Sequence, residues 1–148
     1  MPTYEVRDWV DVYHVQRCTV AFADGLGFSR RECNELAIVA SELTSNILKY
    51  GIRGSIEINA VEDGARMGIA LIASDCGPPF RVLETAVRDG YDDNGPIDPL
   101  QMLKRKGIGG GLGAILRLSH TFRVETLPQG KRVHVARYLS SRRSRRPR

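Results

Sequence analysis

Apolar positions along the chain alternate between helical and strand spacing. Val12, Val15, Cys18/Thr19, Phe22 and Leu26 fall near a 3.6-residue repeat, predicting a helix over 11–26 that Gly25 and Gly27 end. A cleaner stripe follows, in which Cys33, Leu36, Ala40, Leu43 and Ile47 recur at steps of three and four. Ser29 and Glu32 stand ahead of it with the S-x-x-E spacing of a capping box, in which each side chain satisfies the other residue's N–H. Gly51 stops this second helix, and Gly54 follows in the loop.

Residues 3–8 alternate weakly and read as an edge strand. Segments 55–61 (SIEINAV) and 67–74 (MGIALIAS) read as strands joined by Glu62-Asp63-Gly64, and the second is apolar enough to be central. Residues 76–110 are broken by Gly and Pro and carry no strong period, apart from a short helix expected near 82–88. So long a connection is usually functional or mobile. Helical spacing returns over 112–120, and 121–127 with 131–139 form a last hairpin across Pro128-Gln129-Gly130. Adjacent antiparallel strands with segregated helices predict an α/β two-layer sandwich, its sheet mixed but mostly antiparallel and its helices on one face.

Composition narrows the class. The 148 residues fit one domain, with apolar (42%) and charged (26%) fractions ordinary for a soluble protein. No run approaches the apolar length of a membrane span, and the first residues lack a signal peptide's apolar middle, so a cytoplasmic protein without membrane contact is expected. The net charge of +5 resides in residues 142–148 (RRSRRPR), five of them arginine; the rest of the chain is neutral. The expected organisation is a domain over 1–139 and a basic, disordered tail over 140–148, with no DNA-binding face. An RNA contact through the tail is a minor reading, in which removing 142–148 abolishes function. Cys18, Cys33 and Cys76 form no CxxC, and the three histidines lack ligand spacing; neither disulfide nor structural metal is expected.

The chemistry lies in three short stretches. Glu42 and Asn46 are four apart on the second helix, so their side chains stand one above the other, with Lys49 a turn further along the same edge. A carboxylate, an amide oxygen and an ammonium in a column suit a hydroxyl, a Mg²⁺ ion and a phosphate, although such residues on a helix are ordinarily only solvated. Asp75 ends the central strand and Gly77 follows it, a pattern that suits acceptance from a base's amino group or, more plainly, a turn aspartate holding local N–H groups. The run 107–113 (GIGGGLG) precedes a helix and follows Lys104, Arg105 and Lys106. Glycines let backbone N–H groups approach phosphate oxygens, and the helix N-terminus adds its dipole. Ala114-Ile115 stands where a P-loop needs Lys-Ser/Thr. The GxGxxA over 109–114 lacks the buried strand that a dinucleotide site requires.

Taken in order, Glu42-x-x-x-Asn46, Asp75-x-Gly77 and the 107–113 run resemble the N, G1 and G2 boxes of the GHKL ATPases. ASELTSNILKYG and GGGLGAILRLSHTFRVET look more narrowly like the bacterial anti-sigma and switch-protein serine kinases of partner-switching and stressosome pathways. The resemblance covers roughly residues 5–138 and implies the Bergerat α/β sandwich. It implies ATP and Mg²⁺ as cofactors and a serine or threonine of a small STAS-domain antagonist as substrate. It makes Glu42 the general base, Asn46 the Mg²⁺ ligand, Lys49 a phosphate contact and Asp75 the adenine acceptor, with Gly77 shaping that pocket. Gly107, Gly109, Gly110, Gly111, Leu112 and Gly113 would close over the phosphates.

Two positions depart from the family pattern. Pro79 stands where the second glycine of D-x-G-x-G is usual, removing an N–H and fixing φ. Lys131 follows Gly130 where the family carries Gly-Thr, so a hydroxyl is missing from the base pocket. The primary reading is a Mg-ATP-dependent protein serine/threonine kinase acting on a STAS antagonist. The alternative is a catalytically weak, nucleotide-responsive module that sequesters a sigma factor, an antagonist or a PP2C-type phosphatase.

Overall fold

A computed structural model of the chain describes residues 2–77, 91–92, 95–96 and 110–140. Strand β1 (Thr3–Val6) leads into helices α1 (Trp9–Leu26) and α2 (Arg30–Tyr50), then strands β2 (Gly54–Asp63) and β3 (Arg66–Asp75). The two-residue strands β4 (Tyr91–Asp92) and β5 (Gly95–Pro96) pair only with each other. Helix α3 (Gly110–Leu118) and strands β6 (Thr121–Leu127) and β7 (Gly130–Tyr138) complete the chain.

The main sheet has the order β1-β2-β3-β7-β6. All four of its pairings are antiparallel, so the expected mixture of directions does not occur among the described residues. The weakly alternating N-terminal segment is an edge strand, as expected, and the apolar β3 is the central one. The expected helix near 82–88 and the 142–148 tail lie outside the described residues.

Local signals account for the helices. Asp8 caps α1 through a box closed by Asp11, so the helix starts before the position its apolar spacing predicts. Gly27, at φ 106°, ends it, whereas Gly25 lies within the last turn. Ser29 and Glu32 close the second capping box reciprocally, at 3.1 and 2.9 Å. The full stripe from Cys33 to Ile47 is buried. On β3 and β7, Leu71, Ala73, Val133 and Val135 are buried toward the helices, and Ile56 and Ile58 extend this layer from β2. Each Val, Leu or Ile among them contributes about 1.5–3 kcal/mol by leaving water. The other face carries half-buried Ala70, Ile72, Ser74, Arg132 and His134. The result is the two-layer α/β sandwich that the order of elements predicts.

Candidate functional site

The site forms where the ends of α2, β3, α3 and β7 converge. Glu42 and Asn46 are half-buried on α2, a turn apart, and Lys49 is exposed. Helix α3 packs against α2 at this point. A Cβ added to Gly111 would collide with the Glu42 carboxylate. Without a side chain at Gly111, the first turn of α3 lies against that carboxylate with no need for it to move.

Asn46, Asp75 and Leu112 line one small cavity, together with Leu43, Ala73 and Val133. One residue from each of the three sequence stretches therefore meets there. On its other side Asp75 borders an open cleft of about 830 Å³ that includes Gly51, Arg53, Ser74, Cys76 and Gln129. Lys49 lines neither.

The glycine run differs from its expected form. Gly110 to Gly113 are the first turn of α3 rather than a loop ahead of it, and the helix ends at Leu118 rather than at residue 120. Glycine within a helix costs about 1 kcal/mol per residue relative to alanine. Gly107, Gly109 and Pro79 lie outside the described residues.

Among the described residues, Asp75 has two hydrogen-bond partners. Its Oδ1 accepts from the Gly77 N–H at 2.8 Å, the local turn bond that its sequence context allows. The same oxygen accepts from Lys131 Nζ at 2.9 Å. The two side chains are 5% and 1% exposed, so this is a buried ion pair. Sheet register creates it, because Asp75 lies opposite Lys131 across the β3–β7 ladder. Gly130 allows it: its φ is 124°, and a Cβ there would strike the Asp75 backbone. Position 131 thus supplies an ammonium where the resemblance implies a hydroxyl, on the carboxylate that the resemblance gives to adenine.

The pairing was missed from the residues alone, yet a signal existed. Lys131, Val133 and Val135 share one face of a strand by period two, which turns Lys131 inward and demands a buried anion. At the other end of that face, Arg137 bonds Glu35 on α2 at 2.8 Å. The Glu35 carboxyl is held below its ordinary pKa chiefly by this hydrogen bond.

For Mg²⁺, Asn46 offers one amide oxygen on the small cavity and Glu42 a carboxylate one turn away. That donor set suits a cation which takes its remaining ligands from water and substrate phosphates.

No family model matches the chain. In sequence it is 28% identical over 135 residues to the serine/threonine-protein kinase RsbT of Bacillus subtilis (strain 168), across 90% of this chain and 92% of that protein. In structure it is similar to a chain in the crystal structure of the SiaB-SiaC complex from Pseudomonas aeruginosa, with a TM-score of 0.60. That match covers 94% of this chain and 90% of the other at 12% identity, a likeness of fold. No described helix is long and apolar enough to cross a membrane.

Proposed function

We propose that the chain is a protein serine/threonine kinase of the partner-switching type, using Mg-ATP to phosphorylate a STAS-domain antagonist. The observation that carries this reading is the convergence of Glu42, Asn46, Asp75 and the start of α3 at one end of the sandwich. Sequence likeness to a serine/threonine kinase over nine-tenths of the chain supports it. The structural neighbour comes from a two-protein complex, which agrees with a site that works on a protein partner. A soluble, cytoplasmic setting belongs to the same reading, as does the GHKL assignment of the three boxes.

The residues divide the work. Bound ATP with Mg²⁺ would supply the phosphoryl group and the charge neutralisation it needs. Asn46 would hold the metal through its amide oxygen, Lys49 would contact the phosphates from the exposed end of the column, and the N–H groups at the start of α3 would bind them. Glu42 takes the proton from the partner's hydroxyl as its oxygen bonds to phosphorus and the bond to ADP breaks.

The test is phosphoryl transfer from labelled ATP to a cognate STAS protein. Wild type is expected to label it, and Glu42→Ala to lower the rate by about 10²–10⁴-fold. No transfer by wild type, or equal transfer by the variant, refutes the kinase. The Lys131–Asp75 pair favours a second reading, a binding module that holds a sigma factor, antagonist or phosphatase with little catalysis. Calorimetry separates the two, since a chain that binds no ATP with Mg²⁺ retains only the second.

A further inference from the structure

We infer that Lys131 sets which nucleobase the site accepts: by neutralising Asp75 it makes the pocket admit 6-keto purines alongside 6-amino purines. The inference rests on the proposed nucleotide site and goes beyond it.

An unpaired carboxylate on a pocket wall selects a donor. It attracts the amino group at C6 of adenine and repels a carbonyl oxygen at the same place, and the low dielectric of a closed site sharpens both effects. Asp75 does not present that field. Its Oδ1 lies 2.9 Å from an ammonium which, like the carboxylate, is almost wholly removed from solvent. The pair is neutral at contact distance, so the repulsion that would exclude a keto oxygen is cancelled. An exocyclic N–H still finds the carboxylate, and a carbonyl oxygen meets a pair without net charge rather than a bare anion.

Backbone geometry builds the arrangement in. Asp75 and Lys131 face each other in the β3–β7 ladder. The positive φ of Gly130 carries β7 against the Asp75 backbone where no side chain would fit. Asp75 also lines the open cleft of about 830 Å³, so a base entering there meets the paired carboxylate. Lys131 does not line it and acts from within the sheet.

The experiment compares ATP with ITP, which differ at position 6 of the purine and lack the extra amino group of GTP. Binding of each to the full chain is measured by calorimetry with Mg²⁺. Wild type is expected to bind them within about threefold of each other, whereas Lys131→Thr favours ATP by about tenfold or more. Lys131→Arg keeps the cation and is expected to keep the wild-type ratio. A wild type that prefers ATP by more than about tenfold overturns the inference, even if the threonine variant does not fold. That result leaves the kinase reading standing, whereas a chain that binds neither nucleotide sinks both.

Discussion

Lys131 and Arg132 are neighbours on β7 and face opposite ways, and each meets a carboxylate across a strand pair. On the inner face, Lys131 and Asp75 are sealed from solvent. On the outer face, Arg132 reaches Glu125 at 3.3 Å with both side chains more than a third exposed, and His134 reaches the same oxygen at 2.9 Å. Distance alone does not rank the two clusters; access to water does. Inside, both ions have lost their hydration, so taking away a counter-charge is costly. Outside, water and salt replace whatever a partner gives. The contrast shows that only the inner of these two clusters holds its charges away from water.

The largest test breaks the inner pair. Lys131→Met or Asp75→Ala is expected to cost about 3–5 kcal/mol in urea denaturation. Replacing both by apolar residues should recover most of that loss while abolishing nucleotide binding. Single variants as stable as wild type would show that the pair is hydrated. An intermediate case is Arg137→Met, which removes the bond to half-buried Glu35. The expected loss is about 1 kcal/mol or less. Its pH dependence has a defined sign. Glu35 has a folded pKa lowered by Arg137, so the contribution is present above the ordinary carboxylate pKa and is lost as pH falls through the folded value. Wild type and variant should therefore converge in acid, and a difference that grows there would contradict the pairing. Glu125→Gln marks the small end. The Glu125 pKa is lowered mainly by the His134 hydrogen bond, but the group is open to solvent at the sheet surface. Its effect on the melting temperature should be slight and should vanish in high salt.

How much of this was legible depends on whether the cause is local. The α2 stripe and its Ser29/Glu32 box were readable because both are set within a few turns of one helix. Both hairpins were readable from alternation and turn residues, with a shift of one or two positions at the first turn, where Gly64 takes φ 63°. The early start of α1 was missed because Asp8 and Asp11 form a box of aspartates, outside the S-x-x-E pattern. The start of α3 was misread as a loop because its glycines weaken the local helical signal, and the neighbour that Gly111 lies against, Glu42, is some seventy residues away in the chain. The Asp75–Lys131 contact was hidden for the same reason: it depends on which strands are neighbours, and chain order does not reveal that β3 lies beside β7.

That adjacency also bears on how the fold assembles. β2–β3 and β6–β7 are joined by tight turns and can close on the microsecond scale typical of hairpins, about 1–10 μs. The seam between them joins residues as far apart as Asp75 and Lys131, 56 positions. Its closure carries a loop entropy that grows as roughly (3/2)RT ln n and is recovered only once both hairpins are in place. The sheet is therefore expected to form as two preassembled halves that dock, with the β3–β7 seam limiting the rate. Any ligand that bridges the seam would then act on the speed of unfolding more than on the speed of folding.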